Sequence, residues 1–258
     1  MQKLLFAATA VLATAAAAAA AAAQTARPST SFTGDLGYVS ASGNTQLSTL
    51  NIGEKIVRAD GQWTLKQTAA YVQGQAKGVE SANQFLVAGR ADYAFAPRLG
   101  LFTGVSFERN PFAGFNRRTN EQLGVNWKAV QAPQDSLAID AGGVLTQQAG
   151  VNDTTENFSA ARVAADYEHT FSKAAYFQQL VEYLPALTTS GAYRLNTQSS
   201  LVAPISAHVG IRVSYAVQYN SDPPAKPNDS NNFGGGPPPP EYFGTTDRLL
   251  TMGVQVTF

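Results

Sequence analysis

Apolar and polar positions alternate with a period of two along most of the chain from Phe32 onward. The last strand-length segment shows it best. Counting back from Phe258, Val256, Val254, Met252 and Leu250 share one face, while Thr257, Gln255, Gly253 and Thr251 share the other. The stripe is as long as the roughly 9–11 residues with which a tilted β-strand crosses a bilayer. Similar alternation runs through Phe85, Val87, Gly89, Ala91 and Tyr93, through Leu123, Val125, Trp127 and Ala129, and from Val209 to Tyr219. Strands are predicted over 32–41, 47–58, 63–75, 83–95, 99–109, 120–130, 136–147, 157–169, 175–184, 193–202, 207–219 and 247–258. The segment 47–58 is ambiguous, because Leu50, Ile52 and Ile56 share a face with Glu54 and Arg58. An even set of about twelve strands, each with one apolar face, predicts an all-β fold: a closed antiparallel transmembrane β-barrel of about 12 strands.

Such barrels alternate short periplasmic turns with longer outer loops. With the amino terminus in the periplasm, the even-numbered connections should be tight. They hold turn formers: Asp60-Gly61, Pro97, Pro133 to Asp135, Ser172-Lys173 and Pro204. The odd-numbered ones are read as mostly longer, over 110–119, 148–156, 185–192 and 220–246, with Ser42 to Thr45 a short exception. A soluble sandwich gives no reason for this alternation.

The first residues are set apart. Lys3 is followed by an apolar run from Leu4 to Leu12 and an alanine tract that ends at Ala23. This predicts a cleaved signal peptide over 1–23, a short periplasmic segment over 24–31 and the barrel over 32–258. Charged residues make up only 14% of the chain, against about 25% in soluble domains. That deficit fits a wall that faces lipid. The net charge of zero suggests no nucleic-acid partner, and the absence of cysteine excludes disulfides and thiolate-bound metals. The expected location is the bacterial outer membrane. The expected partners are outer-membrane lipid, the barrel-assembly machinery during biogenesis, and small solutes if the barrel conducts.

The polar faces supply the candidate lumen residues: Arg90, Asp92, Glu108, Asp140, Arg162, Asp166, Glu182, Arg194 and Arg212. Both signs of charge are mixed. That pattern suits a lumen wall tied by ion pairs; the other reading is a selective pore lining. Trp63, Trp127, Tyr71, Tyr93, Tyr167, Tyr193, Tyr215 and Tyr219 lie toward strand ends and are expected at headgroup depth. Phe258, Val256 and Val254 resemble the carboxyl-terminal signal by which barrel proteins are recognised for insertion. The stretch 220–246, with its Gly234 to Pro240 run, reads as an irregular outer loop.

Barrel hydrolases typically set a histidine beside a nucleophile or carboxylate. This chain has two histidines, His169 and His208, and both fall at predicted periplasmic turns. No nucleophile elbow or zinc-binding His-Glu-x-x-His pair is present. A non-enzymatic barrel without a cofactor is expected, of structural or passive-pore type. The competing class is a barrel enzyme acting on envelope lipid.

Several short motifs occur in a characteristic order. Ser42-Gly43-Asn44-Thr45 follows the first strand, and Arg90-Ala91-Asp92-Tyr93 lies in the fourth. Tyr193-Arg194-Leu195-Asn196 leads through Pro204 to Tyr219-Asn220-Ser221-Asp222-Pro223-Pro224, and Thr246-Asp247 opens the terminal strand. In these places the chain resembles the family of salt-induced outer-membrane proteins, a domain of unknown function. The Asn-, Gly- and Pro-rich insertion before Thr246 departs from the family's usual shorter loop. The resemblance implies an outer-membrane barrel linked to envelope or salt stress, and it assigns no site residue.

Overall fold

The computed structural model describes residues 28–41, 47–152, 154–172, 175–206, 208–226 and 241–258. The predicted signal peptide lies outside these residues, as do 24–27 of the predicted periplasmic segment 24–31, whose residues 29–31 open the first strand. Twelve strands follow one another: β1 (Ser29–Ala41), β2 (Leu47–Asp60), β3 (Trp63–Ala76), β4 (Val79–Ala94), β5 (Leu99–Asn110), β6 (Phe115–Gln131), β7 (Asp135–Gly150), β8 (Thr155–Thr170), β9 (Tyr176–Pro185), β10 (Tyr193–Pro204), β11 (Val209–Asn220) and β12 (Thr246–Thr257). Each pairs antiparallel with its neighbours in sequence, and β12 returns to β1, so the sheet is a closed barrel. In lipid no water satisfies backbone amides, and closure is the way a sheet leaves no unpaired edge.

The barrel is apolar outside and polar inside. Leu101, Leu123, Val125, Leu145, Val163, Leu250, Met252 and Val254 are all exposed on the outer wall. The buried polar residues Asp140, Thr146, Gln148, Arg162, Ser200, Ser214 and Gln255 face inward. Aromatic rings gather near both ends. Trp63 packs on Tyr93 with 4.9 Å between centroids at the end that carries the termini. Tyr193 stands 5.6 Å from Tyr183 and 5.5 Å from Tyr219 at the far end.

The connections correct one expectation. At the far end β3 and β4 are joined by the two residues Lys77 and Gly78, both with positive φ (51° and 77°), the geometry of a tight hairpin. The predicted loop 110–119 is a 3-10 turn over Pro111–Ala113 followed by Gly114. The predicted loop 148–156 shrinks to residues 151–154. Only the connections after β9 and β11 are clearly longer. The reason is physical. An apolar stripe marks only the part of a strand that touches lipid, and β4 to β8 run on beyond it with polar residues on both faces, as in Arg117-Arg118-Thr119-Asn120.

The β1–β12 seam has the shortest ladder. It runs from Thr33↔Thr257 to Leu36↔Val254, with reciprocal 2.9 Å bonds between the backbones of Phe32 and Phe258 below it. Gly37 and Gly253 allow this approach: a Cβ on Gly253 would overlap the carbonyl of Leu36, and one on Gly37 would stand 2.6 Å from the carbonyl of Met252. Gly253→Val should therefore destabilise closure by about 1–3 kcal/mol. Gly89, with open space around its Cβ position, should tolerate valine. The heat-modifiable folded band on cold gels, followed through a urea series, should drop in midpoint for the first variant and hold for the second.

The ion-paired lumen wall and candidate pore

One polar network crosses the lumen from β3 to β10. Lys66 on β3 lies 3.3 Å from Asp92 on β4. Arg90 binds Asp92 through Nε and Nη2 (2.9 and 2.6 Å) and reaches across the barrel to Asp140 on β7. Asp140 also accepts from Asn126 (2.6 Å) and from Arg162 on β8 (2.9 Å). Arg162 donates in turn to Glu182 on β9 (2.6 Å), whose other oxygen accepts from Asn196 on β10 (2.8 Å). Lys66, Arg90 and Arg162 balance Asp92, Asp140 and Glu182, so the chain of contacts carries no net charge. Alternation of sign is what lets so many charges share one desolvated space.

A ring supports the network. Phe102 on β5 is 1% exposed, and the Arg90 guanidinium lies 4.0 Å above its centroid. The ring occupies room left by Gly124, whose missing Cβ would stand 2.8 Å from it. Gly124 pairs with Gly142, so a dent in the β6–β7 wall accepts the aromatic face. The sequence carries a signal for this: Phe102 falls on the inner stripe of β5, among Gly100, Gly104, Ser106 and Glu108. An aromatic on a face of glycines and polar residues is out of place in lipid terms and in place as a lumen filler.

The other named candidates belong to separate groups. Glu108 accepts from Gln84 (3.1 Å) and lies 3.8 Å from Arg118, which is held by Gln148. Asp166 accepts from Gln178 (3.0 Å). Arg194 lies 5.1 Å from the ring centroid of Phe158. Arg212 binds Asp35 across the seam (2.8 Å) and also Ser214 and Ser200. Beside it Tyr176 donates to Gln255 (3.0 Å), which ties β9 to β12. At the carboxyl terminus Val254 and Val256 pair with Ile211 and Val209 of β11, and the ring of Phe258 stacks on His208. His169 contacts Asp135 (2.8 Å), which also accepts from the Tyr167 hydroxyl. Among the described residues neither histidine is bonded to a serine, threonine or cysteine side chain, and no cluster of three metal-ligating side chains occurs.

The network leaves two cavities in the lumen. A cavity of about 320 Å³ near the far mouth touches Gln84, Arg118, Arg194, Asn196 and Asp247. A second, of about 480 Å³, continues toward the end with the termini and touches Asp35, Lys55, Asp166, Tyr176 and Arg212. The two meet on Gln84, Leu86, Leu180, Gln198, Ala216 and Gln218.

The stem of the last loop closes over the first cavity. Phe243 donates to the Pro224 carbonyl (3.0 Å), Lys226 to that of Glu241 (2.7 Å), and Ala225 bridges Tyr242. Pro224 and Phe243 sit on Gly114, where a Cβ would overlap them. Gly114 belongs to the β5–β6 turn, half-way round the ring from β11 and β12. The expected irregular loop is thus, in its described part, a strap across the mouth; its middle, 227–240, lies outside the described residues.

A closed sheet with an apolar outer wall, aromatic belts and a charged interior defines a membrane-spanning β-barrel. The family model described as Protein of unknown function, DUF481, matches residues 34–233, and the chain belongs to that family. It is similar to the uncharacterized protein YdiY of Escherichia coli (strain K12), with 25% identity over 200 residues that cover 75% of this chain and 76% of that one. Among solved structures it is similar to the NanC porin at a TM-score of 0.49 and 8% identity, over 88% of this chain and 98% of that one. The translocator domain of the autotransporter NalP from Neisseria meningitidis gives a TM-score of 0.46 at 12% identity, covering 99% and 97%. The KdgM porin gives 0.43 at 14%, covering 89% and 99%.

The network yields a contrast. Asp140→Ala leaves Arg90 and Arg162 facing each other without their shared carboxylate and should cost about 3–5 kcal/mol. Lys66→Ala, at the solvated end of the same chain of contacts, should cost about 0–1 kcal/mol. Urea titration of the folded band in bilayer vesicles measures both.

Proposed function

We propose that the protein is a passive pore of the bacterial outer membrane. The single observation that supports this reading is the pair of adjoining cavities beside the ion-paired wall. The lumen is divided between the cluster of Arg90, Asp140 and Arg162 over Phe102 and two adjoining cavities that share part of their lining. A barrel filled only for rigidity has no need of that division. Small hydrophilic solutes are the natural passengers, because amides and hydroxyls such as Gln84, Gln198, Gln218 and Ser200 line the cavities, beside charges of both signs. The reading includes a cleaved signal over 1–23, the termini end in the periplasm, and Phe258, Val256 and Val254 as the assembly signal. The family resemblance adds a link to salt or osmotic stress. The envelope-lipid enzyme has less support, because Asp135 and Tyr167 surround His169 without a nucleophile.

Purified protein in planar bilayers should show discrete openings. Phe243→Ala, which removes one of the strap's two contacts with Gly114, should raise single-channel conductance without changing the folded yield. Silent bilayers with both proteins would leave the structural reading in place of the pore, and release of fatty acid from envelope lipid would favour the enzyme. Orientation has its own check. Cysteines placed singly at Gly78 and Gly191 should react with an impermeant maleimide on intact cells, and one at Gly61 should not.

A further inference from the structure

The ambiguous face of β2 turns out to be the lipid face, and it carries a carboxylate. Glu54 is in register with Gly34 on β1 and Ala69 on β3. Its Oε1 accepts from Gln67 Nε2 at 2.8 Å, in an exposed pair. The lipid-facing residues of β3 run from Trp63 to Tyr71, and Gln67 stands midway between these rings. A carboxylate and an amide therefore sit on the outside of the barrel at mid-membrane. Ionisable side chains at this depth are unfavourable and are found paired. Glu54 has only half a pair: among the described residues no other side-chain bond reaches Glu54 or Gln67. One carboxylate oxygen, one amide N–H and the amide oxygen remain free.

We propose that this patch is the contact with a second copy of the chain. A two-fold axis along the membrane normal sets each Gln67 against the other copy's Glu54, at equal depth. Each carboxylate then gains a second N–H donor, and no counter-ion has to enter the bilayer. An unrelated partner would have to present a donor at this height, whereas a second copy already carries one. On the β3 side the wall also permits approach, since Ala69 in register with Glu54 has a short side chain, while on the β1 side the Phe32 ring leans over Gly34. Helix and strand surfaces associate in lipid through packing and hydrogen bonds, because the tails are as apolar as the wall. The inference stands on the lipid face alone and is independent of conduction through the lumen.

The chain has no cysteine, so single-cysteine variants report cleanly. Ala69→Cys lies next to the proposed axis. Gln179→Cys lies on the lipid face of β9, far round the ring, where the native side chain is bonded to Thr197 and Ser199. With a short bis-maleimide in native membranes, Ala69→Cys should give a covalent dimer in about tenfold excess over Gln179→Cys, the ratio expected for one to two membrane hydrogen bonds. Adding Glu54→Leu and Gln67→Leu should abolish the excess while the folded band persists. Glu54→Gln, which keeps the hydrogen bonds, should retain it. Equal yields at the two positions, a cross-linked species with a mass other than twice the chain, or a dimer unaffected by the two leucines would each overturn the proposal.

Discussion

Everything in this molecule follows from the absence of water around the wall. A backbone in hydrocarbon must find its hydrogen bonds within the sheet. The sheet must therefore close, and closure joins the first strand to the last. The seam where they meet is held by few ladder bonds, so a side-chain contact adds to it from inside, Arg212 of β11 to Asp35 of β1. Glycines at Gly37 and Gly253 keep the two backbones close. The same constraint inverts the ordinary distribution of residues. Leucines and valines face out because lipid costs them nothing, and charges turn in because it costs them most.

Charges turned inward create a second problem, which the lumen solves by neutralising them against one another. The contacts from Lys66 to Asn196 alternate in sign and engage strands on both sides of the interior. Arg90 lies over Phe102, and Phe102 fills the room left at Gly124, so the middle of the network is seated on a ring rather than on water. Two adjoining cavities remain beside the network.

Much of this was legible in the sequence, in proportion to how local the signal is. Alternation at Leu123-Val125-Trp127 and at Met252-Val254-Val256 reports lipid contact residue by residue, so strand number and closure could be read. The far ends of β4 to β8 could not, since a stretch such as Asn116 to Thr119, with Arg117 and Arg118 on opposite faces, shows no apolar stripe. Glu54 was ambiguous because a single strand does not reveal which face meets the bilayer; only its registers with Gly34 and Ala69 decide. The pairing of Arg90 with Asp140 joins residues on strands that are not neighbours. The sequence marks each as inward but cannot choose partners across a lumen whose curvature is set by the whole ring. The seat of the strap on Gly114 depends on the same closure.

That seat has a mechanical side. A thin-walled cylinder is softest toward flattening into an oval, and lateral pressure in a membrane pushes on it in that mode. The strap joins the β11–β12 rim to the β5–β6 rim along a diameter, with Pro224 and Phe243 bearing on a turn that has no side chain to yield. It acts as a tie-bar. It fixes the separation of two opposite rims, so the ring resists going oval when the surrounding bilayer is stretched or compressed.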